Sequence, residues 1–210
     1  LLVLFGDVPL ISNLTLKKLI TNFNKNKNLA SMIAFKTLNP YGYGRIKIKG
    51  NKILSVVEEL FATKAEKEIN ICNSGVILVN TNTFFKNLKL IKYKKIKKEK
   101  YLPDIFSIYS KKEIPFSFIL SSEDEMLGVN TITDLMTAEN IFQNNLVNKF
   151  IKKGVIIYKP ETSFFSYDTK IAKDVTIEPK IIIKNKVTIK SGTVIRSNTY
   201  LEGVRIDEYC

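Results

Sequence analysis

Five short polar motifs interrupt apolar stretches of this 210-residue chain, and together they offer carboxylates, amides and backbone groups but no histidine. Asp7 follows an apolar run in Phe5-Gly-Asp-Val-Pro9. A carboxylate just past the carboxyl end of a strand, with Gly6 allowing close backbone approach, suits a hard cation carrying phosphates. Gly-Asp before Pro is equally good turn chemistry. In Pro40-Tyr-Gly-Tyr-Gly-Arg-Ile46, Gly44 either lets a ligand lie against backbone amides or makes a tight connection into a strand. Glu58, in Val57-Glu58-Glu59, ends a hairpin strand and faces either a ligand or solvent alone. Asn73-Ser-Gly75 places polar side chains inside a buried strand, where they need partners. Asn130, closing Gly128-Val-Asn130, can cap the following helix or ligate a metal through its amide oxygen.

The missing histidine excludes Ser-His-Asp and Cys-His nucleophiles and the usual zinc sites. Catalysis must then run on carboxylates, amides, Lys/Arg, backbone dipoles or an oxygen-bound metal. The 33 Lys+Arg against 20 Asp+Glu give a formal charge of +13. Most of the basic residues are scattered Lys among many Asn and Ile, the signature of an AT-rich coding sequence, which needs no nucleic-acid partner. The densest group, residues 92–100, reads as a solvated face or as a phosphate-attracting patch. An apolar fraction of 45% with 9 Gly and 6 Pro excludes disorder and collagen-like repeats. No apolar run reaches the ~18 residues of a membrane span. Two cysteines, Cys72 and Cys210, give no disulfide framework, so a cytoplasmic location is expected.

Strands and helices must position these motifs, and their patterns alternate. Residues 1–5 read as a buried parallel strand. Leu16, Leu19, Ile20 and Phe23 form a helical stripe that Ser12 or Asn13 can cap. Residues 30–36 form the next strand, and 45–49 with 53–58 flank a Gly50-Asn51 hairpin turn. Residues 72–80 are a further strand, 102–110 a helix and 116–120 a strand. The pattern predicts an α/β unit with a mostly parallel sheet and a hairpin insertion. A connecting helix begins near Thr131, where Thr131 and Asp134 have capping-box spacing.

Beyond it the period changes. Ile171, Ile177, Ile183, Ile189, Ile195 and Leu201 recur every sixth residue, with Val175, Ile181 and Val187 as a second row. Neither helix nor ordinary strand gives that period; a hexapeptide parallel β-helix does, and residues 171–206 would supply two triangular coils.

In this order, and followed by hexads, Phe-Gly-Asp-Val-Pro, Tyr-Gly-Arg-Ile, Val-Glu, Asn-Ser-Gly and Gly-Val-Asn resemble a bacterial family. Its bifunctional members carry N-acetylglucosamine-1-phosphate uridyltransferase and glucosamine-1-phosphate acetyltransferase activities. The resemblance implies an α/β fold: an N-terminally truncated, Rossmann-like nucleotidyltransferase domain over residues 1–132, a connecting helix over 133–153, and the start of a left-handed parallel β-helix over 154–210. It implies Asp7 and Asn130 as ligands of a magnesium ion, and Gly44, Glu58, Asn73 and Asn130 as contacts to the sugar nucleotide. The implied partners are UTP, N-acetylglucosamine-1-phosphate and UDP-N-acetylglucosamine. Acetyl-CoA, glucosamine-1-phosphate and a homotrimer are implied for the intact parent, and neither nucleic acid nor membrane.

The chain also departs from the family. After Val-Glu and a polar residue the family carries Lys-Asp; here Glu59 is followed by Leu60-Phe61. Ser74 replaces Thr, and Glu99-Lys-Tyr-Leu-Pro-Asp104 replaces Glu-Tyr-Tyr-Leu-Thr-Asp. Ala172, Glu178, Lys184, Lys190, Arg196 and Glu202 stand where the hexads usually have Gly. The triphosphate-gripping Gly-rich loop and most of the acetyltransferase half are not in this sequence, so the expectation is an internal fragment without turnover of its own.

Overall fold

Residues 30–35 are all buried, a pattern that requires a strand covered on both faces. The computed structural model, which describes residues 1–50, 52–94 and 99–210, places this strand inside a six-stranded sheet. Contacts divide the chain into two units, Leu1–Asp134 and Leu135–Cys210.

The first unit contains β1 (Leu2–Val3), α1 (Asn13–Lys25), β2 (Ala30–Lys36), the hairpin β3 (Gly44–Lys49) and β4 (Lys52–Val57), and α2 (Lys64–Lys67). Then follow β5 (Ile71–Val79), α3 (Thr81–Leu88), α4 (Asp104–Lys111) and β6 (Phe116–Ser121). The strand order is β4-β3-β5-β2-β6, with β1 also on β5. Alternate side chains of β2 feed two cores. Ala30, Met32 and Ala34 join Phe84, Ile105 and Phe106 of α3 and α4, whereas Ile33 and Phe35 join Leu19 of α1.

Two expectations are corrected here. The sheet is mostly antiparallel: β1, β2 and β3 all run against β5, and only β2 and β6 are parallel. The hairpin returns the chain without the crossover helix that a parallel pairing needs, so β5 opposes β2. Residues 1–5 are not a buried parallel strand. Only Leu2 and Val3 pair, antiparallel to Leu78 and Ile77, while Leu4 and Phe5 are exposed. The β5 edge is shared, since β3 takes its Cys72–Asn73 end.

Local chemistry explains the remaining elements. Ser12 Oγ accepts the Thr15 amide at 3.1 Å and starts α1. Its apolar stripe is narrower than its spacing predicts, for Leu19 is buried but Ile20 is exposed. Asn51 of the expected hairpin turn, and residues 95–98 of the Lys-rich stretch, lie outside the described residues. Thr131 and Asp134 form a true capping box at the start of α5 (Ile132–Lys152): Asp134 Oδ2 accepts the Thr131 amide at 2.8 Å and Thr131 Oγ1 accepts the Asp134 amide at 3.1 Å.

In the second unit, nine two-residue strands build three parallel three-stranded sheets. These are β7 (Ile156–Ile157), β10 (Thr176–Ile177) and β13 (Val194–Ile195); β8 (Phe164–Phe165), β11 (Ile182–Ile183) and β14 (Tyr200–Leu201); β9 (Lys170–Ile171), β12 (Thr188–Ile189) and β15 (Arg205–Ile206). The hexad residues Ile171, Ile177, Ile183, Ile189 and Ile195 are buried inside this prism, with Leu201 half-buried. Val175, Ile181 and Val187 form the second buried row, and Thr193 continues it by donating its hydroxyl to the Asp207 carbonyl at 2.8 Å. The strands β10 to β15 make the two turns expected from the repeat, and Ile156–Ile157 and Phe164–Phe165 join β9 in a further turn before them, outside the strict spacing. Leu146, Val147 and Phe150 of α5 close onto this core. Corner residues Asp174, Lys180, Lys186 and Asn198 all have φ near +60°, three positions after each buried hexad residue. Among the described residues, no helix is long and apolar enough to cross a membrane.

Candidate functional site

A bulge in β5 accounts for the polar motif inside that strand. Between the pairs Met32–Ile77 and Ala34–Asn73 only Ile33 lies on β2, whereas Ser74, Gly75 and Val76 lie on β5. The extra residues arch out of the ladder. Ser74 Oγ donates to the Ile33 carbonyl at 2.8 Å and accepts the Val76 amide at 3.2 Å, replacing lost ladder bonds. Asn73 Oδ1 accepts the Gly75 amide at 3.2 Å. Gly75 has φ +81°, and a Cβ there would fall 1.8 Å from the Phe5 ring. The motif therefore shapes the backbone and brings Asn73 to the sheet surface.

Beside it, Gly44 begins β3 opposite Asn73. A Cβ on Gly44 would sit 3.1 Å from Glu58 Oε1 and 3.2 Å from Oε2, so any larger residue would press the Glu58 carboxylate away from the strand by a few tenths of an ångström. Glu58 is half-buried. Burial lifts its carboxyl above the usual range and nearby Asp104 adds to the lift, while Arg45 and Lys94 pull it back. The loop before Gly44 is fixed from behind. The buried Arg45 donates to the Tyr43 carbonyl and pairs with Glu59 Oε2 at 2.5 Å, and the same oxygen accepts the Gly42 amide at 3.3 Å. Lys67 holds the other Glu59 oxygen at 3.0 Å, so this carboxylate stays below the usual range chiefly through Lys67 and then Arg45.

Two loops complete the rim. The backbone carbonyl of Asp7 accepts the Val129 amide at 2.8 Å, which ties the Asp7 turn to the residue before Asn130. Asn130 is steadied in turn by its own amide, which donates to Asp134 Oδ2 at 3.0 Å; that bond and those from Thr131 keep the Asp134 carboxyl low. Asp7 and Asn130 are exposed, and among the described residues neither side chain is engaged in a hydrogen bond or ion pair. Asp7, Gly44, Glu58, Asn73 and Asn130 all line one cleft of about 400 Å³.

A carboxylate and a carboxamide oxygen on two bridged loops are hard donors. Among the described residues no group of three His, Cys, Asp or Glu could cage a metal alone. That donor set fits magnesium, which is commonly held by one or two protein oxygens, with phosphates and water filling its octahedron. Cys72 is buried behind the site, and that burial pushes its thiol up to about 11.

The chain has 35% identity to the bifunctional protein GlmU of Staphylococcus saprophyticus over 180 residues, covering 85% of this chain and 40% of that protein. Identity to the Bartonella quintana protein of the same name is 34% over 202 residues, 96% and 45% of the two chains. The chain is a relative of the bifunctional GlmU proteins. It spans less than half the length of these curated relatives. A solved Bacillus anthracis chain assigned as a glucose-1-phosphate thymidylyltransferase, in complex with a sucrose, aligns with a TM-score of 0.46 at 20% identity, over 60% of this chain and 48% of its own. No protein-family profile matches the chain.

Sequence reasoning, including the GlmU-type motifs, missed part of the wall. Tyr43, Lys100, Tyr101, Leu102, Pro103 and Met126 also line the cleft. The signal for four of these was present, because Lys100 to Pro103 lie in the stretch that matches the family motif between Glu99 and Asp104. Glu59, which the sequence marks only as the polar residue after Val-Glu, is an anchor of the cleft loop.

Proposed function

We propose that the cleft binds a sugar nucleotide with magnesium and serves uridylyl transfer from UTP to N-acetylglucosamine-1-phosphate, giving UDP-N-acetylglucosamine and pyrophosphate. The observation carrying this reading is the convergence of Asp7, Gly44, Glu58, Asn73 and Asn130 on one cleft. A phosphate oxygen of the sugar phosphate forms a bond to the α-phosphorus of UTP, and the bond to the pyrophosphate breaks. The nucleophile is already anionic, so the absence of histidine costs nothing. Asp7 and Asn130 would hold the magnesium ion, which supplies neutralisation of phosphate charge when bound. Glu58 and Asn73 would accept and donate hydrogen bonds to sugar and ribose hydroxyls, and Gly44 would present its backbone to the acetamido group.

For the intact parent, the proposal extends to acetyl transfer from acetyl-CoA to glucosamine-1-phosphate, to a homotrimer built on a left-handed β-helix, and to a cytoplasmic role in cell-wall precursor synthesis. Calorimetry with UDP-N-acetylglucosamine, UDP-glucose and dTDP-glucose tests the reading on this chain. We expect magnesium-dependent binding with UDP-N-acetylglucosamine preferred, weakened about tenfold by Glu58→Gln, a loss of one hydrogen bond to a charged group. Binding of none of the three, or binding indifferent to Glu58→Gln and Asn73→Ala, would overturn it. Preference for dTDP-glucose would move the chain to a different sugar-1-phosphate nucleotidyltransferase. In the matching activity assay, pyrophosphate release from UTP and N-acetylglucosamine-1-phosphate, this chain alone should show no detectable turnover; clear turnover would mean that the catalytic centre is misplaced.

A further inference from the structure

Glu58 also borders a second cavity, of about 130 Å³, bounded by Ser55, Glu58, Phe61, Lys94, Asp104 and Ser107. Its charges come from three separate stretches of chain. Asp104 opens α4, and Lys94 reaches in from the segment after α3 to pair with it at 3.1 Å. The Lys94 ammonium also lies 5.2 Å from the centroid of the Phe61 ring, and Phe61 packs edge-on to Tyr101 of the cleft wall at 5.5 Å. The Lys94 amide donates to the Glu99 carbonyl at 2.8 Å, and Glu99 accepts the Tyr101 hydroxyl at 3.0 Å, so the lysine is fixed to that wall. Leu60-Phe61, in the 3-10 turn that follows β4, bring no charge of their own to this place.

We propose that Lys94 and Asp104 act as a positioning pair for Glu58, with Lys94 supplying from a distant segment a positive charge, beside that of Arg45, that offsets Asp104 and helps keep the half-buried Glu58 carboxylate ionised for the sugar. The proposal rests on the reading of the cleft as a sugar-nucleotide site. Without Lys94, Asp104 would stand unneutralised beside Glu58, and burial already disfavours the anion there. A protonated Glu58 would lose acceptor capacity for a sugar hydroxyl. The other charged or titratable groups around Glu58 are Arg45 and Glu59 at its rear and Lys100 and Tyr101 on the cleft wall.

The test follows the Glu58 carboxyl by carbon NMR through a pH titration of the chain labelled at glutamate, with Glu58→Gln giving the assignment. Lys94→Met should raise the Glu58 midpoint by roughly half a unit to one unit, and Asp104→Asn should lower it by a similar amount. Lys94→Arg should restore the original midpoint. Opposite signs from the two partners are what a purely structural contact would not produce. Midpoints that stay fixed in Lys94→Met and Asp104→Asn overturn the proposal, and Lys94→Met decides alone should Asp104→Asn not fold. UDP-N-acetylglucosamine affinity measured against pH should shift with the same midpoint. Affinity that ignores a moved midpoint overturns the positioning role, whereas absence of any sugar-nucleotide binding in the unaltered chain overturns the cleft reading on which it rests.

Discussion

Both units hold backbone in the left-handed region, but they use it differently. In the β-helix, Asp174, Lys180, Lys186, Gly192 and Asn198 adopt positive φ at intervals of six, each at a corner between two hexad residues. In the sheet unit, Lys27, Gly42, Gly50, Gly75 and Glu113 do so without any period, and of these Gly42 and Gly75 line the cleft. The same contrast holds for buried polar groups. Thr193 fills one place in a repeating row, whereas Asn73, Ser74 and Arg45 are each buried once, where a loop or a bulge needs them. Departures from local preference that recur with the repeat are architecture; of those that occur once, Gly42, Gly75 and Asn73 shape the cleft.

The largest expected effect comes from breaking the repeat. Ile183→Asp buries an unpaired carboxylate in the prism and should cost about 3–5 kcal/mol in urea unfolding. Ile182→Thr, one position away and exposed, should stay within about 0.5 kcal/mol. Equal losses at both positions would deny the inside–outside order of the coils.

Next come two glycines of the same φ sign. Gly75→Ala meets both the left-handed strain and the Phe5 ring, and should lose about 2–4 kcal/mol. Gly203→Ala meets nothing within 4 Å and should lose about 1 kcal/mol. Similar losses would mean that Phe5 does not pack on the bulge.

A smaller effect concerns acid. Glu66 pairs with Lys47 at 2.6 Å and caps α2 through Thr63, which together pull its carboxyl down to about 2. A carboxyl lowered in the folded state stabilises above its unfolded value and loses that stabilisation as pH falls toward the folded one. Stability measured from pH 5 down to 2 should therefore fall less steeply in Glu66→Gln than in the parent chain. Smallest of all, Lys186→Gly relieves a left-handed lysine while keeping the backbone amide that Asp168 accepts, and should raise stability by up to about 1 kcal/mol.

The β-helix was legible because six-residue spacing depends only on the chain's own order. Its first turn was not, since the segment from Ile157 to Phe165 breaks the spacing with the 3-10 turn Pro160–Thr162. The sheet's apolar runs revealed strands but not directions, because Leu1 to Phe5 reads alike in parallel and antiparallel pairing. Asn73-Ser-Gly75 announced a special backbone by its polarity, and the bulge is that backbone. The five motif residues could be named from sequence, whereas the clamp of Arg45 by Glu59 and the approach of Lys94 to Asp104 could not. Both join residues whose neighbourhood is created only by folding.

The most direct test of the sugar-nucleotide cleft uses manganese in place of magnesium, because its unpaired electrons broaden nearby NMR signals. With UDP-N-acetylglucosamine present, signals of Gly6, Asp7, Gly128 and Asn130 should broaden first, those of Gly44 and Asn73 next, and Ala30, paired with Val79 at the other end of the β2–β5 ladder, should remain sharp. Broadening centred on Ala30, or sharp signals at both Asp7 and Asn130, would contradict the assignment of the cleft.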